Sequence, residues 1–184
     1  PNSLINDIAR RRCVIFLGSG ISRNSVNATG LHPKTWVEAL ESGMQQLDKS
    51  IQRNIKRHIL SKNFLMACEL IRYTMGRDNF VGFLRNEFVT PRFAEADIHK
   101  AIFELDSRIV VTPNFDSIYD VYARHETHGD IHVKHYYDED VADAIRNDKR
   151  LILKIHGDIG TPDKLIFTKT DYAKARSRHH NFYS

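Results

Sequence analysis

Cysteine is nearly absent: Cys13 and Cys68 are the only two in 184 residues. Two such distant thiols exclude a disulfide framework, and without a C-x-x-C pair they exclude the usual zinc module. Both read as core thiols. No apolar run approaches the roughly 18 residues that a membrane-spanning helix needs, and the first residues lack the apolar stretch of a signal peptide. A cytoplasmic location without membrane contact is therefore the default expectation. Nor does one sign of charge dominate. Lys and Arg number 27 against 23 Asp and Glu, a net charge of +4, which suits a polyanionic partner without requiring one. The one tight basic run, Arg10-Arg11-Arg12, lies just before a strand and reads as a solvated helix end rather than a nucleic-acid contact.

What is present belongs to a globular protein. The content is 41% hydrophobic and 27% charged, ordinary values for a single folded domain with a real core. Residues 1–184 are read as one domain. The chain opens at Pro1 without Met and stops at Ser184, so it is expected to be a piece of something longer.

The chain divides by periodicity. Residues 3–11 form a short amphipathic helix with Leu4, Ile5 and Ile8 on one face. Residues 13–17 are β-branched and apolar without alternation, which predicts a strand buried on both faces. A long polar loop over 23–34 follows. Thr35 then caps a helix, with Glu38 completing a capping box. Across about 36–105 the apolar spacing stays near 3.6 residues, which predicts four or five short helices as an insert or layer, then a helix over 94–105 with Ile98, Ile102 and Leu105 inward. Strand signals return at 108–112, 131–137, 151–155 and 165–167, with helices over 116–123 and 140–147 and a last helix capped by Thr170. Strands alternating with helices predict an α/β fold: a doubly wound, Rossmann-like, largely parallel sheet carrying the helical insert.

In such sheets ligands bind beyond the carboxyl ends of the strands. Three polar clusters fall there: Gly18-Ser19-Gly20, Thr112-Pro113-Asn114-Phe115-Asp116 and His156-Gly157-Asp158. Gly18 and Gly20 would let the backbone approach an anion without a Cβ in the way, although two glycines also suit a plain tight turn. Asn114 and Asp116 supply an amide and a carboxylate, and His156 a base near neutral pH. Taken singly, Asn114 could cap a helix and His156 could be a core histidine. Asp158 either steers His156 or caps a turn. The dinucleotide fingerprint G-x-G-x-x-G is incomplete, since Arg23 stands where its third glycine belongs, so hydride transfer is disfavoured.

Together these motifs resemble the sirtuins. Gly18-Ser19-Gly20-Ile21-Ser22 resembles their G-A-G-I/V-S motif, Thr112-Pro113-Asn114-Phe115-Asp116 their T-x-N-I/Y-D motif, and Leu153-Lys154-Ile155-His156-Gly157 their His-Gly motif. All three stand in family order, over about residues 10–175. The stretch Gly30-Leu31-His32-Pro33-Lys34-Thr35-Trp36 and the Asp171-Tyr172 pair further resemble a bacterial sirtuin-like branch. Members of that branch hydrolyse NAD in antiphage defence, often fused to or assembled with other domains. The resemblance implies that Gly18, Ser19, Gly20 and Ser22 hold the NAD phosphates, with Thr112, Asn114 and Asp116 also in the NAD site. Asn114 and Asp116 would orient the nicotinamide ribose or the attacking water, and His156 would be the general base. NAD would be substrate, no metal is expected, and a homo-oligomer or an assembly with a defence partner or fused domain is implied.

Departures from the family pattern decide the activity expected. The four-cysteine zinc module and the P-D-F-R loop of the deacetylases are missing, and Pro33-Lys34-Thr35-Trp36 stands where that loop should be. NAD hydrolysis to nicotinamide and ADP-ribose is therefore the expected function. A non-catalytic NAD or ADP-ribose sensor and an NAD-dependent protein deacylase are the alternatives. Pro113 replaces a polar residue, and the family strands that close the adenosine pocket would lie beyond Ser184. His125, His128, His132 and His135 do not read as a metal site, because Gly129-Asp130 interrupts them and His132 and His135 point to opposite sides of a strand. His179 and His180 read as solvated.

Overall fold

The computed structural model describes residues 2–183, so that Pro1 and Ser184, the ends on which the expectation of a longer chain rests, lie outside it. The elements begin with α1 (Asn2–Ala9), β1 (Val14–Phe16) and the single turn α2 (Ser19–Ser22). Four helices follow: α3 (Trp36–Gln45), α4 (Lys49–Leu60), α5 (Phe64–Met75) and α6 (Arg77–Phe88), then α7 (Asp97–Glu104). The remainder alternates as β2 (Ile109–Thr112), α8 (Ile118–Glu126), β3 (His132–His135), α9 (Val141–Arg146) and β4 (Leu151–Lys154), closing with α10 (Lys169–Arg178) and α11 (His180–Tyr183).

The four strands form one sheet in the order β1-β2-β4-β3, and every pairing is parallel. Val14 lies beside Ile109, Ile109 beside Leu151, and Leu151 beside His132. This register brings all four carboxyl ends to one edge, where the polar clusters follow. The fold is thus the expected α/β arrangement with a parallel, Rossmann-like sheet. α7 and α8 cover one face through Ile102, Tyr119 and Ala123 packed on Leu17, Val110 and Ile152.

β1 departs from expectation. Val14 is 58% and Phe16 63% exposed, and Cys13 is only partly buried, so this strand is not covered on both faces. β1 is an edge strand, and α1 before it buries none of its residues, leaving Leu4 and Ile5 exposed. An unalternating apolar run identifies a strand but cannot say whether a layer covers each face.

The helices α3 to α6 between β1 and β2 form a helical layer. Thr35 starts α3 with the expected capping box, its hydroxyl accepting from Glu38 N while Glu38 accepts from Thr35 N at 2.7 Å. Leu40, Ile55, Ile59, Ile71, Phe83 and Leu84 make the layer's core, and the buried thiol of Cys68 joins them. Ile159, Leu165 and Phe167, all beyond β4, enter the same cluster. The layer therefore packs on the segments that leave the sheet's carboxyl edge.

Three local readings need correction. The helix expected from 94 begins at Asp97, because Ala94 N donates to Val26 O in an isolated bridge, and Ile98 and Leu105 are exposed while His99 turns inward. Residues 165–167 are not a strand: Ile166 N makes a single bond to His156 O at 3.0 Å instead of joining a ladder. The last long helix is capped by Thr168, not Thr170, with Asp171 completing its capping box.

Because the helical layer shares its core with residues that follow β4, the two parts are expected to unfold together. Ile71→Ala, at a fully buried site, should lower stability by about 2–5 kcal/mol while leaving one cooperative transition in urea. Two resolved transitions followed by circular dichroism would show that the layer folds independently.

Candidate functional site

The site begins where β1 and β2 end. Thr112 is buried, and its hydroxyl donates to Leu17 O at 2.9 Å while accepting from Asn114 N at 3.0 Å. This fastens the two strand ends together. Thr112 thus supports the site from behind its wall and does not line it. The Asn114 amide Nδ2 reaches back across the gap to donate to Gly18 O and to Ser22 Oγ, each at 3.1 Å. Ser22 Oγ in turn donates to Asp116 Oδ2 at 2.8 Å. A continuous chain, Asn114 to Ser22 to Asp116, therefore spans the first two clusters. The N-cap position of α8 is Ser117, not Asn114, and Asp116 closes the turn before it, its Oδ1 accepting from Ile118 N at 3.2 Å.

The third cluster arrives on β4. At its last residue, Lys154 is 0% exposed. Its ammonium donates to Asp116 O at 2.6 Å and Asp120 Oδ2 at 2.7 Å, and pairs with Asp158 Oδ2 at 2.8 Å. Burial works against the charge, but Asp120 and Asp158 raise the Lys154 pKa above its ordinary value. Burial would likewise raise Asp158, yet the Lys154 charge and hydrogen bonds from Lys154, Gly160 and Ser117 hold it below the usual carboxylate range. Asp158 therefore closes a turn through Gly160 N, accepts from Ser117 Oγ and pairs with Lys154, rather than steering His156.

His156 follows on a tight turn. Gly157 has φ of +81°, and a Cβ there would lie 2.6 Å from Lys164 O, so only glycine fits. The imidazole Nε2 lies 3.0 Å from Tyr172 OH, with the two rings edge to face at 5.2 Å. Burial lowers the His156 pKa from its ordinary value and so favours the neutral ring.

Ser19, Ser22, Asn114, Asp116, His156 and Tyr172 line one cavity of about 470 Å³. Its apolar lining comes from the helical layer through Trp36, Phe64 and Phe88 and from Phe115 and Phe167 in the strand-end segments, while Lys34, Lys62 and Asn63 also line it. Trp36 and Phe167 pack with centroids 4.4 Å apart, and Phe115 touches both Phe88 and Phe167. The polar strand-end groups and an aromatic surface thus line the same cavity. Gly18 and Gly20 lie outside the wall. Neither has a positive φ, and a Cβ on either would meet nothing within 4 Å. The turn's conformation therefore does not demand glycine.

In the sequence Lys154 and Tyr172 stand only as members of the Leu153-Lys154-Ile155-His156-Gly157 motif and the Asp171-Tyr172 pair, with no role of their own, although a lysine ending the apolar run Leu151-Ile152-Leu153 is a readable signal. Of the four histidines between 125 and 135, His135 binds Asp138 at 3.2 Å and stacks on Tyr137. Among the described residues no group of three or more His, Cys, Asp or Glu side chains is placed to hold a metal ion.

Residues 108–184 match the family model described as a SIR2-like domain. The match takes in the clusters at Asn114 and His156 and the Asp171-Tyr172 pair. The glycine turn and the helical layer lie outside it. No curated protein matches the chain. Among the described residues no helix is long and apolar enough to cross a membrane.

The Lys154 cluster gives a stability prediction. Lys154→Met removes the cation while leaving Asp120 and Asp158 facing each other, and should cost about 3–5 kcal/mol in urea unfolding. A loss below about 1 kcal/mol would mean that the cluster is not the brace described.

Proposed function

We propose that this chain hydrolyses NAD at the nicotinamide–ribose bond, with water as acceptor, giving nicotinamide and ADP-ribose. The observation that carries the reading is the Asn114-Ser22-Asp116 chain of hydrogen bonds facing the same cavity as a neutral His156, at the carboxyl edge of a parallel sheet. Similarity of residues 108–184 to the SIR2-like domain supports NAD as the ligand. The cavity volume falls within the roughly 300–1,000 Å³ typical of small-molecule sites.

The chemistry follows from these groups. As the C1′–N bond breaks, positive charge gathers on the ribosyl centre and nicotinamide leaves neutral. Asn114 Nδ2 and Asp116 hold the Ser22 hydroxyl, and the same bonds fix the Asn114 amide, so the Asn114 and Ser22 oxygens can face that charge without reorganising, which favours the transition state over the ground state. Asp116 acts chiefly by fixing Ser22. His156 accepts the proton released by the attacking water. The backbone of Gly18-Ser19-Gly20 is assigned to the phosphates, and the aromatic wall keeps bulk water from the far side of the ribose. Assembly with itself or with a partner domain, and a role in antiphage defence, rest on the resemblance of residues 30–36 and the Asp171-Tyr172 pair to the bacterial sirtuin-like branch. The chain as a single unit, with residues 36–105 as its insert, is part of the same proposal.

His156→Ala and Asn114→Ala should each remain folded and lose nicotinamide release by about 100-fold or more; unchanged turnover in either purified variant would refute the assignment. A second outcome concerns pH. A neutral base is required, and burial favours the neutral form of His156, so the acid limb of kcat/KM should fall below pH 6.5. An acid limb above that value would contradict His156 as the base.

A further inference from the structure

The hydrogen bond between Tyr172 and His156 is not used in the reading above, and it sits on the nitrogen that a reacting oxygen would need. The phenol OH is 3.0 Å from Nε2, and both side chains face the cavity. Tyr172 is also held from outside the sheet. It lies in the first turn of α10, where Thr168 and Asp171 form the capping box. Arg72 on α5 grips both oxygens of Asp171 at 2.8 Å, and Glu69 accepts from Thr170 N at 3.0 Å and Thr170 Oγ1 at 2.8 Å. His156 stands directly before the Gly157 turn, whose φ of +81° and close approach to Lys164 O leave no place for a Cβ. The two side chains therefore meet at hydrogen-bond distance at the cavity.

We propose that Tyr172 is a catalytic residue of this site, carrying the proton of the attacking water to His156. The proposal rests on the NAD-hydrolysis reading. In the resting arrangement the phenol donates to Nε2, which places the imidazole proton on Nδ1. During reaction the water oxygen bonds to C1′ as the C1′–N bond breaks, and that electron pair goes to the nicotinamide ring. The water proton passes to the Tyr172 oxygen while the phenol proton passes to Nε2. Tyr172 ends as it began, and the imidazolium then releases one proton to solvent. Burial supports both states the relay needs, raising the Tyr172 pKa so that the phenol starts protonated and lowering that of His156 so that the ring starts neutral.

Tyr172→Phe keeps the ring and removes only the hydroxyl. In the intact protein, kcat for nicotinamide release should fall about 100-fold with KM changed less than about threefold. In a His156→Ala background the same substitution should add almost nothing, because a relay without an acceptor has no function to lose. Nitrogen-15 spectra of the wild-type imidazole should report an unprotonated Nε2, a readout independent of turnover. A variant within about threefold of wild-type kcat, an equal loss in the His156→Ala background, or an Nε2–H tautomer would overturn the relay. If wild-type protein releases nicotinamide while Tyr172→Phe does so equally well, the relay alone fails. If wild-type protein releases none, the hydrolysis reading fails and the relay with it.

Discussion

The buried Lys154 ammonium is the interaction on which the site depends. It binds the Asp116 carbonyl, the Asp120 carboxylate at the start of α8, and the Asp158 carboxylate in the turn after β4. The two inner strands of the sheet deliver Asn114 and His156, but a sheet alone fixes only where the strands end. Loops leaving two strands can diverge. A charge that no water reaches removes that freedom, because any displacement leaves an ion unpaired in a dry interior. The turn carrying Asn114 and Asp116 and the turn carrying His156 are thereby set relative to each other.

A second constraint comes from the helical layer. Its core includes Ile159, Leu165 and Phe167, and its α5 holds the first turn of α10 through Arg72 and Glu69. The layer contributes the aromatic side of the cavity and also sets the position of Tyr172 beside His156. The helical segment between β1 and β2 therefore lines part of the pocket and holds the turn that carries Tyr172.

Much of this was legible in the sequence, and the failures have identifiable causes. The strand-end clusters at Gly18, Asn114 and His156 were readable because parallel strands must bring their carboxyl ends together once the βα alternation is recognised. Thr35 and Glu38 gave the start of α3 because a capping box is local. Exposure of Val14 and Phe16 was not readable: whether a strand's second face is covered depends on layers far away in the chain. The inward turn of His99 in place of Ile98 was set by the bridge between Val26 and Ala94, a contact across 68 residues. Asp158 could not be assigned from sequence because its choice between Lys154 and His156 depends on the sharp Gly157 turn. Lys154 itself departed from the apolar pattern of β4, and that departure marked the brace of the site.

The central claim is that a bound NAD is cut by water. The most direct measurement incubates NAD with the intact purified protein and quantifies nicotinamide and ADP-ribose, with and without an acetyl-lysine peptide. The account predicts the two products in equal amounts and no dependence on the peptide. Binding of NAD without release of nicotinamide, or release only when the peptide is present, would contradict it.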